Sequence, residues 1–173
     1  MTKGENNLAA AMATIIKPAL MLPEHYVAKV ESQGNFYSAT LSVHPADMPR
    51  IIGKAGNNVR AIKCILAHIG QMQRCFIRFY VAEPADAATP EPMPQPFQWD
   101  PKPLIKAAQT ALDLAGYDDR LTGPVPMSGK QFFTAAGILD PSFAEALARW
   151  MHMIGRAYGE NVILIYDRAT PIR

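Results

Sequence analysis

The chain of 173 residues carries 17 Lys and Arg against 15 Asp and Glu, and 49% of its residues are hydrophobic. It has room for one ordinary domain or two small ones, and its composition argues against a disordered, collagen-like or coiled-coil protein. The longest apolar run, residues 8–16, is too short for a membrane span, and Glu5 stands where a secretory signal would be basic. Cys64 and Cys75 have no CxxC spacing and predict no disulfide framework, so we expect a cytoplasmic protein.

The first half predicts six elements in the order αββααβ. Apolar residues at helical spacing identify the helices, and runs of β-branched and aromatic residues identify the strands. In chain order, the six elements cover residues 8–17, 26–31, 36–43, 47–52, 57–69 and 75–81. In the short second helix, Asp47 is the expected N-cap and Pro49 lies in the first turn.

The last of these strands has two unlike faces. Ile77 and Phe79 fall on one face, and Phe76 and Tyr80 fall on the other. Aromatic residues on a strand could stack on bases, but they more often serve packing. We therefore expect Phe76 and Tyr80 to pack against the second half of the chain.

A proline-rich segment divides the chain. Seven prolines lie between residues 84 and 103, a composition typical of a semi-rigid, extended spacer. A ligand for a proline-recognition domain is the alternative interpretation. We predict a domain at residues 1–83 that folds alone, a linker at 84–103 and a C-terminal module at 104–173.

Basic residues are concentrated around a glycine motif. From Arg50 to Arg78 the chain has six Lys or Arg and no Asp or Glu, and the sequence Gly-Lys-Ala-Gly at 53–56 lies within this stretch between two predicted helices. Glycine has no Cβ and lets the backbone approach a sugar-phosphate chain, Lys54 adds positive charge, and the N-terminus of the next helix favours a phosphate. The alternative is a tight helix-turn-helix link with a solvated basic surface.

The segment HPADMPRIIGKAGNNVRAIKCILAHIG, residues 44–70, resembles the core of the small bacterial KH proteins, and the resemblance covers residues 8–83. The αββααβ order is similar to the type II, prokaryotic arrangement of that family. KH domains clamp about four nucleotides of single-stranded RNA or DNA at the GxxG loop. The motif and the resemblance together imply an RNA-binding site at Arg50, Ile52, Gly53, Lys54, Ala55, Gly56, Asn57, Asn58, Arg60 and Lys63. Bases would lie on an apolar groove formed by Ile52, Val59 and Ile62 with residues 41–43.

The second half predicts an α/β module. We expect helices at residues 102–116 and 128–136, a helix that begins at residues 140–141, and a strand at 162–166. An Ile-Gly pair between helix and strand recurs about 85 residues after its counterpart in the first half, and Gly137 falls near the equivalent of Gly53. The module is therefore a degenerate KH-like repeat or an unrelated helical cap. Its equal numbers of acids and bases favour packing or partner binding over direct contact with RNA.

Signatures of catalysis are poor. Residues 123–130 miss the spacing of a phosphate-binding P-loop, and Cys64 with His68 offers only two metal ligands. A core thiol beside a surface imidazole is the preferred interpretation of that pair. We expect no enzyme activity, no metal and no cofactor.

The sequence therefore favours an α+β protein, a type II KH domain followed by a second, degenerate KH-like module. Its expected ligand is single-stranded RNA or single-stranded DNA, and its expected role is that of an RNA chaperone or post-transcriptional regulator. For protein partners, the candidates are a second copy of the chain and a partner KH protein, with no membrane involved. The alternative is a structural protein of a ribosome-associated ribonucleoprotein particle whose second half docks a protein.

Overall fold

The computed structural model describes residues 2–82, 98–118 and 120–168. This part of the chain is a mixed α+β protein with five α-helices and two three-stranded sheets, which confirms the predicted class. The elements are α1 Lys3–Ile16, β1 Val27–Gln33, β2 Phe36–Ser42, α2 Met48–Ile52, α3 Asn57–Met72, β3 Phe76–Val81, α4 Pro101–Leu114, β4 Leu121–Met127, β5 Lys130–Leu139, α5 Pro141–Ala157 and β6 Val162–Arg168. No helix in the described ranges is long and apolar enough to cross a membrane.

The first sheet has the order β1-β2-β3, and the αββααβ order predicted for the first half is present. Strands β1 and β2 form an antiparallel hairpin, whereas β2 and β3 are parallel. Helix α1 begins earlier than its apolar spacing predicts, because Thr2 and Glu5 form a capping box. The Glu5 carboxylate also accepts hydrogen bonds from the backbone N–H and the hydroxyl of Ser32, which joins α1 to the hairpin.

The second half repeats this pattern without α2 and without the glycine loop. Strands β4 and β5 are antiparallel, β5 and β6 are parallel, and the sheet order is β4-β5-β6. The N–H of Gln131 donates to the carbonyl of Asn161 where β5 and β6 begin, at 2.9 Å. Between β5 and α5 only Asp140 remains, whereas the corresponding connection in the first half contains α2 and residues 53–56.

Two predictions for the second half are wrong. Residues 128–136 are not a helix: Ser128 and Gly129 both have positive φ in a hairpin turn, and β5 follows from Lys130. Buried Phe133 and Ala135 alternate with more exposed neighbours, and this alternation is that of a strand with one buried face. Gly137 lies inside β5 and is therefore not an equivalent of Gly53. Strand β4 was not predicted, because the two prolines in its sequence disfavour a strand. They are tolerated here because β4 lies at the edge of its sheet.

The repeated Ile-Gly pair has a packing reason in both halves. A Cβ at Gly70 in α3 would lie 2.8 Å from the carbonyl oxygen of Cys75, just before β3. A Cβ at Gly155 in α5 would overlap the side chain of Val162 at the start of β6. Glycine is thus required where each strand crosses close to the helix that precedes it.

One apolar cluster extends through both halves. Helix α3 packs on α5, α1 packs on α4, and the buried Trp150 donates its indole N–H to the carbonyl of Ile15 at 2.9 Å. The predicted packing of Phe76 and Tyr80 against the second half is wrong, because these side chains are 70% and 47% exposed. The helices meet instead, since they carry the continuous apolar stripes.

The predicted linker is only partly covered by the structure. Residues 84–97 lie outside the described residues, and α4 already begins at Pro101, inside the segment predicted as a spacer. Asp100 caps this helix by accepting the N–H of Lys102, and a proline at the first position has no N–H to lose. The division of the chain into domains stays a prediction.

Candidate nucleic-acid interface

Residues 53–56 form a tight turn between α2 and α3. Gly53 has φ 72° and ψ 172°, a conformation that essentially only glycine adopts. Ala55 and Gly56 follow with φ values of 54° and 74°, both in the left-handed region. Among the described residues, no side chain caps the N-terminus of α3 after this turn, and the N–H of Asn57 donates to the carbonyl of Lys54.

Asn58 holds the turn in place. Its side-chain N–H₂ group donates to the carbonyl of Arg50 at 2.8 Å and contacts the sulfur of Met153 in α5 at 2.9 Å. The amide of this predicted RNA-binding residue is therefore engaged inside the protein. It fixes the turn relative to both α2 and the second half of the chain.

Asp47 fixes the other end of α2. Its side chain is fully buried, and its two carboxylate oxygens accept the backbone N–H groups of Met21 and Leu22 at 2.9 and 3.0 Å. Asp47 occupies the N-cap position, but its side chain makes no capping hydrogen bond, so the predicted capping role is wrong. The carboxylate binds the amides of Met21 and Leu22 instead of capping α2, because these two buried amides would otherwise have no hydrogen-bond acceptor.

A cavity of about 600 Å³ opens between the turn and α5. Among the described residues, its lining contains four cationic side chains and no Asp or Glu, and it consists of Pro49, Arg50, Lys54, Asn57, Asn58, Arg149, His152, Met153 and Arg156. A cavity of this kind, with cations and polar groups in its wall, suits an anionic ligand.

The predicted site residues are distributed around this cavity. Arg50, Lys54, Asn57 and Asn58 line it, and Arg60 lines a neighbouring cavity of about 250 Å³. The remaining members are the turn residues Gly53, Ala55 and Gly56, the exposed Ile52, and the exposed Lys63 further along α3.

The predicted apolar groove for bases is wrong in most of its parts. Ile62, Leu41 and Val43 are at most 6% exposed and belong to the core. Ile52, by contrast, is 40% exposed beside the turn. The sheet packs its apolar face against α3, Val59 is partly buried against the core, and Ile52 remains as exposed apolar surface beside the turn.

Four lining residues come from the second half and were not predicted: Arg149, His152, Met153 and Arg156. Arg149, His152 and Arg156 lie on one face of α5, at spacings of three and four residues. His152 has its Nδ1 3.2 Å from the carbonyl oxygen of Val162, which can only accept, so Nδ1 carries the proton. The spacing of these residues is visible in the sequence. It was not used, because the equal numbers of acidic and basic residues in this half argue against an RNA-binding surface.

A second cluster, of Cys64, His68 and Asp140, joins α3 to the start of α5. His68 Nδ1 lies 3.8 Å from the sulfur of Cys64, and His68 Nε2 lies 3.3 Å from the Asp140 carboxylate. Burial raises the pKa of the Cys64 thiol, whose S–H donates to the carbonyl of Ser142. These contacts link α3 to the start of α5.

The chain matches no protein-family model and no curated protein. The kind of ligand that the site can bind is therefore inferred from its own residues. Within the part of the chain that the structure describes, these combine a glycine turn, a helix N-terminus without a side-chain cap, and four cations with no acidic residue around one open cavity.

Proposed function

We propose that this chain binds single-stranded RNA at residues 53–56, as a KH domain of the type II arrangement followed by a degenerate KH-like module. The observation that supports the proposal is the cavity beside the glycine turn, to which Arg50 and Lys54 contribute and whose described lining residues include no Asp or Glu. At Gly56 a Cβ would make only an ordinary contact with Val59, so a sugar-phosphate backbone can lie close to the protein backbone there, and the cations neutralise its phosphates.

The shape of the site favours a single strand over a duplex. Ile52 offers an exposed apolar surface beside the turn, on which an unpaired base can rest. The cavity is concave and bounded on two sides by α2 and α5, whereas a duplex would need a broad and open surface. Single-stranded DNA has the same phosphates and bases, so it is expected to bind at the same place.

The proposed role is that of an RNA chaperone or post-transcriptional regulator in the cytoplasm, without catalysis, metal or cofactor. The two free cysteines fit a reducing compartment. The second half carries no glycine turn between β5 and α5, so a second clamp of the same kind is not proposed.

The test is a variant that reverses the charge of the turn, Lys54→Asp with Ala55→Asp. Both side chains are exposed, so folding should survive, and affinity for RNA should fall because the new carboxylates repel phosphate. The matched control is Lys102→Gln with Lys106→Glu on α4, which changes the net charge equally at exposed positions outside the cavity lining. Unchanged affinity in the folded turn variant, measured by fluorescence anisotropy, would rule out the proposed clamp.

A structural role in a ribonucleoprotein particle is the second candidate. The observation that favours it is the exposed apolar surface on the second sheet, where Val125, Met127, Ile138 and Ile165 are 50–65% exposed. Surfaces of this kind often contact other proteins. Stoichiometric co-purification with a particle, lost on Val125→Ser with Ile165→Ser, would support this candidate.

A further inference from the structure

We propose that helix α5 forms the second wall of the RNA site, with Arg149 and Arg156 binding phosphates of the strand that lies against residues 53–56. The inference rests on the proposed RNA-binding function and extends it to the second half of the chain. It assigns to this half a direct part in RNA binding, which its even charge count does not suggest.

The first support is a continuous groove along α5. The central cavity shares Asn57 and Arg149 with a cavity of about 250 Å³ at one end. It shares His152 and Arg156 with a cavity of about 360 Å³ at the other end. Helical residues rise 1.5 Å each, so the stretch of α5 from Ser142 to Arg156 gives the groove a length of about 20 Å. This length suits several nucleotides of an extended strand.

The second support is electrostatic. Arg50 and Lys54 from the first half face Arg149 and Arg156 from the second half across one cavity. Within the described part of the chain, none of these four side chains forms an ion pair. Like charges gathered in a concave site repel one another and raise the local concentration of anions. A polyanion between the two walls would relieve this repulsion.

Among the described residues that line the groove, acidic ones occur only towards its ends. Glu145 lines the cavity at one end and Glu160 the cavity at the other, where the Glu160 carboxylate accepts a hydrogen bond from Gln131 at 3.3 Å. The central part between Arg149 and Arg156 is therefore the most attractive to phosphate. This arrangement limits where along α5 the backbone of a strand can lie.

The third support is that the two walls are fixed relative to each other. Asn58 joins the turn to Met153 of α5, and Met153 itself is 6% exposed. The neighbouring Trp150 is buried and donates a hydrogen bond from its indole N–H to the carbonyl of Ile15. The basic face of α5 is thus held opposite the turn before any ligand binds, which lowers the entropy cost of binding.

The distance between Arg149 and Arg156 along α5 indicates that they bind two different phosphates. Arg149 and Arg156 are seven residues apart, so their backbone positions differ by about 10 Å along the helix. They are placed for different phosphates of one strand. Removing both should therefore lower the salt dependence of binding as well as the affinity.

The experiment compares full-length variants for binding to a mixed-sequence single-stranded RNA of about 12 nucleotides, at several salt concentrations. The test variant is Arg149→Gln with Arg156→Gln. The control is Lys102→Gln with Lys106→Gln, which removes the same charge from exposed positions on α4. We expect the test variant to lose at least about tenfold in affinity, as for loss of hydrogen bonds to charged groups. We also expect its slope of log K against log salt to fall by about 1.4, as for two single-strand phosphate contacts.

The outcomes separate the two proposals. If the arginine variant binds like the unmodified chain while Lys54→Asp with Ala55→Asp loses binding, the role of α5 is wrong and the clamp stands. If the Lys54→Asp, Ala55→Asp variant binds normally, the proposed function itself is wrong. Equal losses in the arginine variant and the α4 control would indicate a general effect of net charge and would overturn the role of α5. Circular dichroism establishes folding, and Arg149→Lys with Arg156→Lys should retain most of the salt slope.

Discussion

The side chain of Asn58 occupies the space beside Gly53. A Cβ on residue 53 would lie 2.5 Å from the Cγ of Asn58. Asn58 cannot turn away without losing its hydrogen bond to the carbonyl of Arg50. Glycine is therefore required at position 53 for two reasons: the backbone conformation excludes other residues, and the Asn58 side chain leaves no space for a Cβ.

This relationship predicts different effects for the two glycines of the turn. Gly53→Ala should lower the free energy of unfolding by at least about 3 kcal/mol, or distort the turn, because strain and steric overlap add. Gly56→Ala should cost only about 1 kcal/mol, since Gly56 is left-handed but its Cβ would make only an ordinary contact with Val59. Urea denaturation of both variants measures the difference. Equal costs would mean that Asn58 does not hold the turn as described.

Asp47→Ala should be strongly destabilising. It leaves the amides of Met21 and Leu22 buried without an acceptor, and each unsatisfied group costs about 1–3 kcal/mol. Asp47→Asn is the matched variant, because its one side-chain oxygen can still accept from one amide. The free energy of unfolding should therefore fall by about 2–5 kcal/mol for Ala and by less for Asn. The reverse order would contradict the two-amide arrangement.

Trp150→Phe should weaken both halves together. It removes the hydrogen bond to Ile15 and leaves a buried carbonyl without a donor, at a cost of about 1–3 kcal/mol. Because one apolar cluster spans both halves, protection from hydrogen exchange should decrease in both sheets. A loss confined to the second sheet would show that the halves unfold separately. Such a result would favour the prediction that residues 1–83 fold alone.

The stability of the chain should depend on Asp140 in acid. The Ser142 hydroxyl and the N–H of Phe143 hold the pKa of this carboxyl below its usual value of 3.8. A lowered folded-state pKa gives stability that is present above the unfolded pKa and is lost as the pH falls towards the folded pKa. Asp140→Asn keeps an acceptor for the cap, so it should flatten the decline in stability below about pH 4. Acid denaturation curves that coincide for the two proteins would contradict this contribution.

A smaller effect is expected for Ser142→Ala. The hydroxyl is the largest cause of the lowered pKa of Asp140, so its removal should move that pKa back towards the usual value. The pH dependence of stability should then lie between those of the unmodified chain and Asp140→Asn. His68, whose Nε2 lies 3.3 Å from the same carboxylate, remains in both variants.

The sequence by itself determined the local structure of the first half. Apolar spacing identified α1 and α3, runs of β-branched and aromatic residues identified β1 to β3, and the short α2 with the glycine turn followed from Pro49 and residues 53–56. These features were predictable because side chains four residues apart on a helix, or two apart on a strand, share a face whatever the rest of the chain does. In β5 the same principle was available, but the Ser128-Gly129 turn that starts the strand was not recognised.

Only the tertiary structure decided what faces the turn. Arg149 and Arg156 lie about 95 and 100 residues after the turn along the chain, and they reach its cavity because α3 docks on α5. The same docking engages Asn58 with Met153 and leaves Phe76 exposed. Periodicity determines which residues share a face of one element, but the pairing of faces depends on burying the most apolar surface across the whole fold. That balance joins residues distant in sequence, which no local pattern encodes.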